Sequence, residues 1–178
     1  IKLYHASVTL TDANGGSLTS NRVIGGFAGV PRTTSMKVDG SLDEPAWAKA
    51  TVCSLDQAAQ YYGFGKDLWK GPADLSAKLR FLWDDKNLYV GMEATDDVFS
   101  NVKADGEIWA GDGLQFLFDP KRDQIEKPGK YDAGFAVGTK GPQAWYWLTG
   151  SSAVPAGQQK EIVVAMKRGE KGNATYEV

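Results

Sequence analysis

Histidine and cysteine are nearly missing from this 178-residue chain: it has one of each, His5 and Cys53. A lone histidine in the first residues excludes a Ser-His-Asp triad, a Cys-His pair and a multi-histidine zinc site. A lone cysteine excludes an intramolecular disulfide, which suits a cytosolic protein and equally suits many bacterial exported proteins. Positive charge is not in excess: 20 Lys and Arg stand against 22 Asp and Glu, for a formal net charge of −2. Such a chain has no basic field to gather phosphates, so nucleic acid is not an expected partner. No apolar run is long enough to cross a bilayer, so no membrane partner is expected either.

Glycine and aromatic residues are plentiful, with 21 Gly, 6 Trp, 7 Tyr and 7 Phe. That mixture suits short strands joined by tight turns, with aromatics to spare for a ligand surface. The length fits one domain with an appended arm. Residues 1–35 differ from the rest in their Gly, Ser, Thr and Asn content, their Asn14-Gly15-Gly16 turn signal and Pro31. Ser7-Val8-Thr9-Leu10 is the single strand expected there, and the remainder reads as a linker or the tail of a preceding domain. Gly25-Gly26-Phe27-Ala28-Gly29 has the look of a phosphate loop, but Pro31 falls where its helix should begin, so a flexible loop is expected. The chain opens at Ile1 without a signal-peptide pattern and stops at Tyr176-Glu177-Val178, inside an expected strand. It is therefore read as a piece of a longer, exported bacterial precursor, truncated at its C-terminal end and flanked by other domains.

The main body spans residues 36–178. Leu42–Ala50 reads as a short helical turn, with Asp43 as a candidate cap, Pro45 in its first turn and Trp47 pointing into the core. Residues 56–76 read as a long loop carrying Tyr61, Tyr62, Phe64 and Trp69. From Ala77 the pattern alternates: Ala77, Leu79, Phe81 and Trp83 share one face, with Trp83 expected in the core like Trp47, and Lys78 and Arg80 share the other. Asp84-Asp85-Lys86-Asn87 then makes a polar turn, and Leu88–Ala94 returns as the second strand of a hairpin. Further strands are expected at Leu114–Phe118, Ala133–Val137, Ala144–Leu148, Glu161–Lys167 and Thr175–Val178. Seven or more strands with very little helix predict an all-β fold, an antiparallel sandwich.

Three segments carry a resemblance. They are Val38-Asp39-Gly40-Ser41-Leu42-Asp43-Glu44-Pro45-Ala46-Trp47, then Phe81–Val90 continuing to Asp96-Asp97-Val98, then Ile108-Trp109-Ala110-Gly111-Asp112-Gly113-Leu114-Gln115-Phe116-Leu117-Phe118-Asp119. In this order and spacing, residues 36–178 resemble the family 9 carbohydrate-binding modules and their relatives. The resemblance implies an immunoglobulin-like, jelly-roll-like β-sandwich appended to a secreted polysaccharide-degrading enzyme such as a glycoside hydrolase. It also implies a sugar unit clamped between two tryptophans, structural calcium in loops, and no catalysis by the module itself. The first clamp tryptophan matches Trp109; the second lies beyond Val178 in the family. Gln115 stands where the family has a glutamate, Ala136 where it has an arginine, and Gly138 where it has an asparagine.

Each candidate site residue has two readings. Trp109, in a polar loop, either stacks on the apolar C–H face of a pyranose or plugs the sandwich edge. Trp145 and Trp147 share one strand face, as a sugar platform or as packing. Trp69 is a candidate for the far side of a clamp. Asp96, Asp97, Asp105, Glu107 and Asp112 crowd the loop around Trp109, as a solvated acidic loop or as calcium ligands, with Asp96 and Asp112 the chosen pair; Asp112 could instead cap backbone donors. Asp84-Asp85 is turn chemistry rather than a catalytic carboxylate pair. Three functions compete. One is a carbohydrate-binding module for polysaccharide or oligosaccharide. The second is a haem b domain of the DOMON type with Met92 or Met166 as ligand. The third is a docking sandwich that has lost its sugar site, in which Trp109 would be covered.

Overall fold

The computed structural model describes residues 3–11, 17–25, 29–34, 36–60, 68–118 and 131–178, the first two stretches by backbone alone. Strands β1 (Leu3–Thr11) and β2 (Ser17–Gly25) form an antiparallel two-stranded sheet of their own. The remaining strands are β3 (Thr51–Leu55), β4 (Leu75–Trp83), β5 (Leu88–Asp96), β6 (Gly113–Phe118), β7 (Tyr131–Gly138), β8 (Gly141–Leu148), β9 (Gly157–Gln158), β10 (Ala165–Arg168) and β11 (Ala174–Glu177). They build a five-stranded sheet, ordered β10-β11-β5-β4-β3, and a four-stranded sheet, ordered β6-β7-β8-β9, with every strand pair antiparallel. This is the all-β sandwich that the strand pattern predicts.

The alternation explains the layering. Leu79 pairs with Met92 and Phe81 with Val90, and Tyr176 pairs with Met92 from the other side, so one face of the five-stranded sheet is apolar. That face meets Phe135 and Ala144 of the four-stranded sheet, with Leu114, Phe116 and Val137 packed around them. Burying large side chains of this kind stabilises by about 1.5–3 kcal/mol each. Met92 and Met166, the candidate haem ligands, belong to this packing. A recess of about 480 Å³ between the sheets is lined by Met36, Tyr89, Phe116, Tyr146 and Ile162, and neither methionine is in its wall.

The outer face of the five-stranded sheet is also covered. Residues 36–50 cross it, and Trp47, from the 3-10 turn Pro45–Lys49, packs on Leu82 and Tyr89. Gly91 leaves room for this strap: a Cβ there would overlap Leu42 and the Trp47 ring. Glu177, outward-facing on β11 and fully buried, pins the strap down. Its carboxylate accepts the N–H groups of Asp39 (2.7 Å) and Gly40 (3.1 Å) and the Trp47 Nε1–H (3.2 Å).

Several expectations are corrected. Residues 1–35 contain two paired strands rather than one, and residues 29–34 are hydrogen-bonded to the end of β4: Thr33 N–H donates to Trp83 O (2.7 Å) and Trp83 N–H to Pro31 O (3.2 Å). Trp83 is not a core residue. It is 40% exposed, its Nε1–H donates to Val30 O, and Arg32 lies over its ring. Asp43 does not cap the short helical turn, because Glu44 holds the N-cap position and makes no side-chain cap bond. The strand expected at Glu161–Lys167 begins only at Ala165. Before it, Gln159 is tied to Ala144 O, Pro155 O and Gly157 O, which turns the chain between the sheets. Of the expected loop at 56–76, residues 61–67, with Tyr61, Tyr62 and Phe64, lie outside the described residues; Ala58–Gln60 form a 3-10 turn.

Candidate functional site

The outer face of the four-stranded sheet is uneven in side-chain size. With Leu114 and Phe116 of β6 turned to the core, Gln115 points outward. Its cross-strand partners are Gly134 on β7, then Trp145 on β8, then Gln158 on β9. The neighbouring row holds Ala136 and Gln143, and on the other side Asp132 pairs with Leu148 across an irregularity that sets Trp147 beside Gly134. The small residues on β7 give the surface a floor into which neighbouring groups settle. The Trp147 ring edge lies over Gly134, where a Cβ would come within 2.8 Å of it.

A 3-10 turn, Asp105–Ala110, is laid on this floor and carries Trp109. Four attachments hold it. Ile108 is buried beneath it. Trp147 Nε1–H donates to Gly106 O at 2.7 Å, and the Trp145 ring packs against Gly106. Asp105 N–H donates to Gln143 Oε1 (3.0 Å), while Gln143 Nε2–H returns a bond to Asp105 Oδ1 (3.1 Å). Lys140 pairs with the other Asp105 oxygen, and this ammonium, with the Gln143 amide, holds the Asp105 carboxyl below the usual carboxylate range. Asp105 takes a left-handed φ of 55°, a conformation unusual for a residue with a Cβ, and these bonds offset its cost. Held this way, Trp109 projects from the turn and is 63% exposed. It is not covered, as a lost site would require.

The sequence-predicted residues separate into groups. Gln115, Trp145 and Trp147 share one face, where Gln115 Nε2–H donates to Asp132 Oδ1 (2.8 Å), and the turn that carries Trp109 is fastened to that face through Gly106. Trp69 packs at the sandwich edge: its Nε1–H donates to Leu75 O, and it lines a recess of about 250 Å³ with Leu55, Gln60 and Leu114. The acidic crowd disperses. Asp105 pairs with Lys140 and Glu107 with Lys103 (3.2 Å). Asp96 and Asp112 stay close at the far end of the five-stranded sheet. Burial first, and then the Asp96 charge, push the Asp112 carboxyl up, against the Ser100 N–H bond and Arg168. Asp112 does cap backbone, accepting Ser100 N–H at 2.6 Å. Sequence reasoning missed Asp132, Gln143 and Gln158, and read Asp105 only as one of the acidic crowd. Gln143 had a usable signal: it stands two residues before Trp145, on the same strand face.

The family model described as carbohydrate family 9 binding domain-like matches residues 38–175. The chain belongs to this family. No curated protein matches the chain. Modules of this carbohydrate-binding family are generally non-catalytic. Among the described residues, no three His, Cys, Asp or Glu side chains converge as a metal group, and no helix is long and apolar enough to cross a membrane.

Proposed function

We propose that this domain binds polysaccharide by stacking a sugar ring on Trp109, and that it directs an attached, secreted bacterial polysaccharide-active enzyme to its substrate. The exposed indole of Trp109 carries the reading: an apolar side chain of that size is held out to solvent by a turn with four separate attachments. A pyranose C–H face is a natural partner for a flat ring presented in this way. Gln115, bonded to Asp132, offers an amide and a carboxylate to sugar hydroxyls on the same face, and Trp145 and Trp147 border it. Isothermal titration against a panel of soluble polysaccharides tests this. Trp109→Ala is expected to lower affinity at least tenfold, about the 1.4 kcal/mol of one lost stacking contact. The melting temperature should hold, since little of the side chain is buried. Unchanged affinity in that variant would remove the role.

Structural calcium belongs to the same proposal. The donor chemistry suits a hard cation: two carboxylates close enough to repel, and Asn101 Oδ1, a buried oxygen with no hydrogen-bond partner, beside Asp112. Asp96, Asp112 and Asn101 would hold the ion, which would neutralise the carboxylates and tie β5 to the loop before β6. Calcium is expected to raise the melting temperature and EDTA to reverse the rise; no response to either would remove it.

A further inference from the structure

We infer that the outer face of the four-stranded sheet takes an internal stretch of a neutral polysaccharide, laid across the strands, rather than a chain end held in a pocket. The inference rests on the carbohydrate-binding reading and adds to it the form of the ligand. A site for a chain end needs depth, with polar groups converging around one terminal ring. Here the depth is filled by the protein itself. Ala136 is 1% exposed. Gly138 lies against the Lys103 carbonyl so closely that any Cβ would overlap it, and Thr139 N–H donates to the same oxygen at 2.9 Å. Gly113 is pressed on Ala136 and Phe135 O. No side chain longer than a methyl at 136 or 138 can reach out from this floor.

What stays accessible is a line from Gln115, over the Trp147 ring that covers the buried Gly134, to Trp145 and Gln158. Gln115, Gly134, Trp145 and Gln158 are successive cross-strand partners over all four strands. At ~4.8 Å per strand the row spans roughly 14 Å, longer than one pyranose ring. Gln115 and Gln158 are exposed at its two ends, Trp145 is half-buried between them, and the turn that carries the exposed Trp109 packs on Trp145 through Gly106. Among the described residues β6 and β9 pair with no further strand, so a chain can continue past the row in each direction. Charge selects the class of chain. Lys103 is paired with Glu107 and Lys140 with Asp105. The two lysines beside the turn are thus each matched by a carboxylate, while the amides and indoles of the face suit hydroxyls and C–H faces.

The test titrates the domain with neutral soluble polymers (mixed-linkage β-glucan, xylan, galactomannan), each native and with its reducing ends converted by borohydride. Size-graded oligosaccharides and the monosaccharides of the polymer that binds, with polygalacturonate as the acidic probe, complete the panel. Affinity is expected to climb with chain length beyond the disaccharide and to be unchanged by end reduction. Gln158→Ala, at the end of the row away from Gln115, is expected to weaken polymer binding about fivefold, the value of one hydrogen bond, without weakening monosaccharide binding. A monosaccharide that binds as tightly as its polymer, or a polymer that loses binding when its ends are reduced, overturns the inference and leaves carbohydrate binding standing. So does preference for polygalacturonate. Failure of every neutral probe overturns both readings together.

Discussion

Glu177 is a carboxylate with no exposed surface, and the sandwich depends on it. Its three donors come from Asp39, Gly40 and Trp47, so one side chain on the last strand fastens the strap across the five-stranded sheet. Burial pushes its carboxyl above the ordinary 4.5, and Glu44 adds to this, while the three donors pull it back down. The folded state therefore holds this proton more tightly than the unfolded chain. The stabilisation from that proton is complete below about 4.5 and is lost as pH rises through the folded value. Glu177→Gln cannot titrate, and its amide NH₂ would face one of the three donors. It is expected to cost about 1–3 kcal/mol at pH 7 and more at pH 5, measured by urea unfolding at both. A cost that is smaller at pH 5 would contradict the assigned shift. None of this was legible in the sequence. Tyr176-Glu177-Val178 reads there only as a strand, because the partners that define Glu177 lie 130 to 138 residues away.

At the scale of elements, the turn Asp105–Ala110 converts a sheet face into a presentation device for Trp109. Its lock is polar: Gln143 is 3% exposed and bonds both the N–H and the carboxylate of Asp105. Gln143→Ala leaves a part-buried N–H unpaired and a left-handed Asp105 unsupported. The expected result is a loss of about 1–3 kcal/mol of stability together with weaker glycan binding, although Gln143 is too buried to touch a ligand. Calorimetric unfolding and titration of the same variant read the two effects. Full affinity in Gln143→Ala would show that Trp109 needs no such lock. Strand parity put Trp145 and Trp147 on one face and Tyr146 on the other, and the structure agrees. Parity could not show that the backbone of Gly106 would lie against both indoles, since that contact spans about 40 residues and depends on a turn with no hydrophobic period. The same limit hid Trp83. Alternation placed it with Leu79 and Phe81, but it ends its strand, where the sheet no longer covers it.

For the whole molecule, the two sheets are symmetric in neither cover nor cost. One outer face is roofed by residues 36–50; the other is left open around Trp109. Three motifs and the period-2 pattern revealed the sandwich because they encode its local geometry. The position of the strap was not encoded locally, and neither was the role of residues 29–34. A series of shortened chains separates these contributions. A chain beginning at Gly29 lacks only the β1–β2 hairpin, which shares no strand pairing with the sandwich. Its melting temperature is expected to stay within about 2 °C of the full chain, less than ~1 kcal/mol. A chain beginning at Met36 further loses the bonds of Thr33, Pro31 and Val30 to Trp83 and of Gly29 O to Thr51. At ~0.5–1.5 kcal/mol each, it should melt several degrees lower. A chain beginning at Thr51 also uncovers Leu82 and Tyr89 and removes Trp47, at about 1.5–3 kcal/mol for each large side chain. It leaves Glu177 without its three donors as well. The sum approaches the whole stability of an ordinary domain, so this chain is expected not to fold, with flat thermal scans and apolar-dye binding as its signature. A folded domain starting at Thr51 would mean that the strap covers the sheet without holding it together.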